Sequence, residues 1–403
     1  MEYRPLADFV ELSQGLAVNK GTAHLFSDIK NCEFPYPLLR IVDFEAGIHD
    51  NYSKYVSKNI SPSVIIDENT IVFTRVTCQC FRGFKGVLHN NLFVVNLISS
   101  ELTEDYLFTV LQSEFVRKQA LYFAQSSVVP DLNHKMFKEI RIPIPDKSTQ
   151  EKIAKLYLNI TNKIDNNSKI NFELEAMART IYDYWFLQFD FPDENGKTYK
   201  SSGGKMVWNE ELKREIPEGW RVGNLSEIAS IIMGSSPKGE SLNEDKEGII
   251  FYQGKTDFGY RFPMVRMYTN SPIRYAEVND ILLSVRAPVG DMNITSERCC
   301  IGRGLAAINS RYRSFLFYLM LSNQYQFDKY NNKGTTFGAI TKEELFGLRV
   351  VIPDAKIIEI FDKKISDIDK KIFSNEMQNQ ELTSLRDFLL PLLMNGQVGF
   401  KEQ

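Results

Sequence analysis

Cysteine is scarce and odd in number, five in 403 residues. Cys78 and Cys80 form a CxC and Cys299 and Cys300 are adjacent, but no CxxC or HxxxH spacing accompanies them, which argues against a zinc site. Buried thiols in a reducing compartment fit that pattern. Histidine is scarcer still: His24, His49, His89 and His134 are scattered among loop-like segments, where a lone imidazole is more often structural than catalytic. No run of eighteen apolar residues occurs, and the opening MEYRPLADFVEL carries acids and no apolar core. Neither a membrane span nor a signal peptide is expected, and the protein is expected in the cytoplasm with no membrane partner. A charge imbalance is lacking too, since 48 Lys plus Arg face 51 Asp plus Glu for a formal charge of −3. Taken whole, nothing marks a nucleic-acid binder.

Catalytic equipment is equally thin. Gly234 to Ser241, GSSPKGES, comes near a phosphate-binding loop, but Glu240 stands where the pattern needs lysine, and a carboxylate repels phosphate. Pro353, Asp354, Asp362 and Lys364 faintly echo a nuclease centre. On a helix, however, Asp362 and Lys364 would point about 200° apart and could not share a metal. A glycine-rich cofactor loop after a strand and an Asn/Asp-Pro-Pro-aromatic motif, the marks of an amino methyltransferase, are both missing.

What the chain does have is a long helix written twice. From 147 to 185, Ile153, Leu156, Ile160, Ile164, Leu174, Met177, Ile181 and Tyr184 recur at steps of three and four. The stretch 355 to 394 matches at an offset of about 208, placing Ile160, Ile164, Leu174, Met177 and Ile181 over Ile368, Ile372, Leu382, Leu385 and Leu389. Asn167, which interrupts the seam, falls on Asn375. The preceding segments repeat as well, LNHKMFKEIRIPIPD over ITKEELFGLRVVIPD, with Arg141, Pro145 and Asp146 on Arg349, Pro353 and Asp354. We read an internal duplication: two similar domains, each followed by a long helix. Asn167 and Asn375 are expected near the crossing of an antiparallel pair, bonded to each other or to nearby polar groups.

Each domain mixes short strands with helices, an α+β pattern. In the first, strands are expected at Val64 to Ile66, Ile71 to Arg75 and Asn91 to Leu97, then a helix from Leu102 to about Ala124. In the second, IIFYQGKTDF, DILLSVR and LAAINS are strand candidates, with a helix from Phe315 to about Tyr330. The landmarks IVDF and KTDF, and TIVFTRV and DILLSVR, recur in order. Residues 193 to 219 are expected to be a polar surface connector.

Positive charge is local. Between 250 and 313, Lys255 and eight arginines face five acids. Arg75, Arg82 and Lys85, with Phe81 and Phe84 interleaved, offer a smaller cluster in the first domain. Arginine suits bidentate reading of guanine and clamping of phosphate. The DNA-binding candidates are Arg75, Arg82, Lys85, Ser235, Lys238, Lys255, Arg266, Arg286 and Arg303, and of these Arg75 and Arg82 in the first domain and Arg266, Arg286 and Arg303 in the second are expected on faces that could meet one duplex together.

Several segments have a familiar wording: IPIPDKSTQEKIA, IYDYWFLQFDFP, NGKTYKSSGGKMVWNEELKREIPEGW, DILLSVRAPVG with CCIGRGLAAI, and LLPLLMNGQV. Together they resemble the DNA specificity subunit of type I restriction-modification enzymes over nearly the whole chain. The family's Pro-Leu-x-Glu-Gln run is replaced by Ser148-Thr149-Gln150-Glu151 and by Lys356-Ile357-Ile358-Glu359. The resemblance implies two α/β target-recognition domains (1–145 and 219–353), each reading half of a bipartite double-stranded DNA target. It also implies two antiparallel spacer helices (146–190 and 354–403, the latter with the tail), a connector at 191–218 and a pseudo-twofold axis. A helix of forty residues would be roughly 60 Å long. The chain itself would be non-catalytic and bind no cofactor. Two modification subunits would use S-adenosylmethionine, and restriction subunits would use ATP and magnesium. The alternatives are a stand-alone two-domain DNA-binding or adaptor protein and, from another class, a nuclease.

Overall fold

The computed structural model describes residues 2–46, 51–61, 64–124, 131–193, 195–331 and 338–401. Two compact units emerge: Met1–Ile164 with Glu381–Gln403, and Asp165–Gln380. Both long helices, Lys147–Tyr182 and Ala355–Met394, contribute to each unit.

The first unit contains a four-stranded antiparallel sheet in the order Val10–Gln14, Leu92–Leu97, Val72–Thr74, Cys80–Phe81. A five-stranded sheet runs Phe26–Ser27, Tyr55–Val56, Tyr36–Leu39, Gly86–Leu88, Ile65–Ile66, with its one parallel pair between Tyr36–Leu39 and Gly86–Leu88. Glu2–Pro5 pairs with Arg141–Ile144. The second unit repeats all three sheets strand for strand. Ser230–Met233, Leu305–Asn309, Ile281–Ser284 and Met292–Ile294 form the four-stranded sheet. The five-stranded one runs Leu242–Asn243, Met267–Thr269, Ile249–Tyr252, Cys299–Ile301, Tyr275–Ala276, again with its parallel pair second from the end, and Arg221–Asn224 joins Arg349–Ile352.

The repeated segments have a local cause. Asp146 and Asp354 begin the long helices: Asp146 accepts from Thr149 N at 3.0 Å, and Asp354 from Lys356 N at 2.8 Å. The Thr149 hydroxyl and then the Thr149 amide hold the Asp146 carboxyl below its ordinary pKa. Asn133 and Thr341 likewise cap the short helices His134–Lys138 and Lys342–Phe346.

Three expectations are corrected. The helix expected from 102 to 124 is two, Glu104–Leu111 and Glu114–Phe123, because Ser113 accepts from Val116 N and starts a new N-terminus. Its counterpart is Arg313–Ser322, a 3-10 turn Gln324–Phe327 and the short Asp328–Asn331. The connector is not merely a surface strap. Met206–Asn209 and Arg214–Pro217 form a hairpin, and Phe191 stacks on Tyr199 and Trp220 at 4.6 and 5.1 Å.

In the first unit Ile153, Tyr157, Leu390 and Leu393 from the helices share one core with Leu6, Phe9, Phe73, Phe93 and Phe137. In the second, Tyr182 and Phe361 meet Trp185, Phe186 and Phe315 in an aromatic cluster. The helices run antiparallel there, and a layer of four asparagines lies between them. Asn167 Nδ2 donates to Asn379 Oδ1 and Gln378 Oε1, both at 2.9 Å, and Asn375 Nδ2 donates to Asn171 Oδ1 at 2.9 Å. Asn167 and Asn375 are thus not partners of each other. Each pairs with the duplicate of a residue one turn further on, since Asn171 and Asn379 are themselves at equivalent positions. Burial holds the neighbouring Glu376 carboxyl above its ordinary pKa, opposed by its bond from Asn171 Nδ2.

The seam also needs correction. Ile160 and Ile372 are buried, and Ile164, Leu174, Ile368 and Leu382 are half-buried. Met177 and Leu385, however, are 51% and 45% exposed. Ala178 and Asn171 take inner positions on the first helix, because a buried stripe follows geometry around the helix and not the size of the side chain.

Arg261 ties the second domain to both helices within its unit. It is 1% exposed and donates from Nη2 to Asp369 Oδ1 at 2.6 Å and from Nη1 to the Tyr318 hydroxyl at 3.2 Å, with Glu175 Oε2 3.6 Å away. Burial works against its charge, but Asp369, Tyr318 and Glu175 outweigh that and raise its pKa.

Two outcomes are expected in chemical denaturation. Asn171→Leu should destabilise by roughly 1–3 kcal/mol through an unpaired buried amide on Asn375, whereas the double variant N171L/N375L should lose less than the two single losses combined. Arg261→Ala should cost about 2–4 kcal/mol, because it empties a buried site and leaves the half-buried Asp369 and Glu175 carboxylates without their cation.

Candidate nucleic-acid interface

In the second unit the loops at one end of the sheets are stitched together by their main chain. Gly234 N donates to Leu305 O at 2.9 Å and Ser235 N to Ile301 O at 3.0 Å. Arg303 N donates to Ser236 Oγ at 3.1 Å. The approach is so close that a β-carbon on Gly234 would stand 2.1 Å from the Gly302 carbonyl oxygen. Gly302 N donates to Tyr252 O at 2.8 Å and Val285 N to Gly304 O at 2.9 Å, which brings in the loops after Ile249–Tyr252 and Ile281–Ser284.

The sequence candidates Ser235, Lys255, Arg286 and Arg303 therefore lie on adjoining loops, with exposed Lys238 beyond Ser235 on the same one. Arg266 joins them through Asp257, donating from Nε and Nη2 to Oδ1 at 3.0 and 2.6 Å. Lys255 pairs with Asp291, and Lys238 with Glu240 at 3.8 Å. Arg286 and Arg303 are exposed and make no ion pair among the described residues.

The near-miss phosphate loop is occupied by this stitching, since its Ser235 amide is already bonded to Ile301. Asp362, from the nuclease echo, instead accepts from Phe315 N at 3.0 Å, and burial raises its pKa. Arg261, counted in the local basic excess, is buried in the helix anchor described above. His49 lies outside the described residues.

The first unit has the same loop cluster in different chemistry. Gly15 N donates to Leu92 O, Leu16 N to Leu88 O, His89 N to Leu39 O and Arg75 N to Asn91 O. A β-carbon on Gly15 would stand 2.3 Å from His89 O. Arg75 enters the cluster and grips Asp131 through Nε and Nη2 at 3.0 and 2.9 Å.

Arg82 and Lys85 do not join it, which corrects the expectation of one shared face. Val72 pairs with Phe81, so both follow a strand whose end lies beside the start of Val72–Thr74, opposite Arg75. Arg82 bonds Asp105 at 2.7 Å and lies over the Phe108 ring, and Lys85 is exposed. Phe81 and Phe84 pack on Phe44, with centroids 5.1 and 4.3 Å apart, and serve the core.

The strand bonding also makes Arg75 the counterpart of Val285: Leu132 N donates to Arg75 O and Ile340 N to Val285 O, both at 3.0 Å. Arg75 and Arg286 are therefore one residue out of step. Sequence reasoning misses Arg40, which sits beside buried Asp43 in the cluster and, after burial, helps lower the His89 pKa. The IVDF and KTDF landmarks are the available signal, since they set Asp43 over Asp257.

Among the described residues no group of three or more His, Cys, Asp and Glu is placed to hold a metal ion. No helix among them is long and apolar enough to cross a membrane.

Comparison with known proteins agrees with this duplicated architecture. The family model described as the type I restriction modification DNA specificity domain matches residues 1–176 and 217–385. The chain is 31% identical over 322 residues to the putative type I restriction enzyme MjaX specificity subunit of Methanocaldococcus jannaschii, covering 78% of this chain and 73% of that protein. It is 26% identical over 374 residues to the type I restriction enzyme HindI specificity subunit of Haemophilus influenzae, covering 77% and 78%. In fold it is similar to the crystal structure of the type-I restriction-modification system S subunit from M. genitalium, with a TM-score of 0.61 at 16% identity over 98% of this chain and 96% of that one. With the domain matched twice, on the same two stretches that the sheets and loop clusters duplicate, the chain belongs to the type I restriction-modification DNA specificity family.

Proposed function

We propose that this chain is the sequence-reading subunit of a type I restriction-modification complex, in which each domain reads one half of a bipartite double-stranded DNA target. The observation that carries this is the loop cluster built twice on one sheet topology, stitched by equivalent main-chain bonds but bearing different polar and basic side chains. Rigid frames with different loops suit two independent readers of different sequences. Arg286 and Arg303, exposed and without ion pairs among the described residues, are the best-placed contacts of the second domain. Ser235, Lys238, Lys255 and Arg266 support them, while Arg75 serves the first domain.

The long helices set the spacing between half-sites and dock two modification subunits. Ile170, Phe172 and Met177 in the second unit and Leu385 and Phe388 in the first are apolar side chains left exposed on them, which supports a partner surface. Methyl transfer from S-adenosylmethionine belongs to those partners, and ATP- and magnesium-dependent translocation and cleavage to restriction subunits. This chain supplies recognition in the cytoplasm and no catalytic group.

Sequencing methylated adenines in DNA exposed to the assembled complex tests the proposal. Replacing residues 1–125 with the same region of a relative should change one half of the methylated sequence and leave the other, and a change in both halves refutes independent reading. Arg286→Ala should weaken binding to the specific duplex roughly ten-fold or more while sparing random DNA. Equal loss on both would make Arg286 a phosphate contact.

A further inference from the structure

We infer that Asp43 and Asp257 are matched positioning residues, each aiming one arginine, Arg40 or Arg266, at a base edge in the half-site its domain meets. The inference rests on the DNA-reading function proposed above.

Both carboxylates are 4% exposed and occupy the same place in the two copies, just past the strand that runs parallel to its neighbour in the five-stranded sheet. Asp43 Oδ2 accepts from Arg40 N at 2.8 Å, and Asp257 Oδ2 accepts from Gln253 N at 2.7 Å and Gly254 N at 3.3 Å. Arg40 and Gln253 are the equivalent residues that follow those strands, so each aspartate closes the same turn.

The two turns reach this geometry by different spellings. Asp43 lies three residues after Arg40, whereas Asp257 lies four after Gln253. An arginine is nonetheless present on both, and from different directions along the chain. Arg40 precedes its aspartate, with Nε 3.5 Å from Oδ2, while Arg266 comes from beyond the loop and binds Oδ1 through Nε and Nη2. A single inherited tripeptide cannot produce both pairs.

Closing the turn needs only the backbone amides. In the second copy the labour is divided: one oxygen of Asp257 takes the turn amides and the other takes Arg266. That grip orients the guanidinium plane and leaves Nη1 without a partner among the described residues, on a side chain 54% exposed. An oriented fork with free N–H groups is what bidentate reading of a guanine edge requires. A carboxylate behind it prevents the arginine from sampling other geometries.

The test uses the full chain assembled with its modification subunits and measures methylation rates on duplexes carrying single base-pair changes in either half, with thermal melting alongside. Asp257→Asn should reduce discrimination at one base pair in one half roughly ten-fold. The other half and affinity for unrelated DNA should stay within about two-fold. Asp43→Asn should do the same in the opposite half. The double variant D257N/R266A should discriminate no worse than R266A, because the carboxylate acts through the arginine. Arg266→Lys, which keeps charge and fold but not the fork, should show the same half-specific loss.

A loss spread over all duplexes, a lowered melting temperature with discrimination intact, additive losses in the double variant, or full discrimination by R266K would each overturn the positioning role. A wild-type complex that discriminates no sequence would instead overturn the reading on which this role rests.

Discussion

Burial of the long helices in each domain's own core is the constraint on which the other features depend. In the second unit Phe361 is fully buried and meets the rings of Tyr182, Trp185 and Phe186 at 5.9, 5.7 and 5.1 Å. In the first, Ile153, Tyr157, Leu390 and Leu393 close the core beneath the four-stranded sheet. A fully buried side chain of this size stabilises by about 1.5–3 kcal/mol, so a handful of them exceeds what a surface contact could supply. The helices are therefore part of what folds each domain. Loops that project from the same sheets inherit the rigidity of that core.

Onto this apolar packing the second unit adds polar groups that restrict how the helices pair. An asparagine layer contributes little net stability, but slipping either helix would leave buried amides unpaired. The Arg261 network works in the same way, since its charges are tolerable only when Asp369, Glu175 and Tyr318 converge on it. Both devices favour one arrangement over others instead of deepening the well. For a protein that must hold a reading surface in a set orientation to its helices, that is the more useful property.

At the loop cluster the two copies separate frame from content. Close main-chain approaches at Gly15 and Gly234 admit no side chain, and the amide-to-carbonyl bonds between neighbouring loops recur. The side chains on those loops do not: His89 stands where the other copy has Gly302, and Arg75 where it has Val285. Backbone bonding is indifferent to side-chain identity, so such a frame can carry different readers without refolding.

Much of this architecture is legible in the order of the residues. The helix periodicity and the capping aspartates are local features, each set by neighbours a few residues away, and the 208-residue offset is the chain's likeness to itself, so a sequence displays all three directly. From them follow two similar mixed domains and two long helices, while the family is legible as a resemblance in the wording of segments such as DILLSVRAPVG and LLPLLMNGQV. Which apolar positions face inward is a tertiary matter, and packing turns Met177 and Leu385 outward and Asn171 inward. The same holds for the pairing of Asn167 and Asn375 with each other's neighbours, for Arg261 as an anchor and not a contact, for the separation of Arg82 from Arg75, and for the meeting of Arg40 with Asp43. Each of those depends on which residues distant in the chain arrive at the same place, and burial and partner choice are properties of that arrangement, not of any residue's type or spacing.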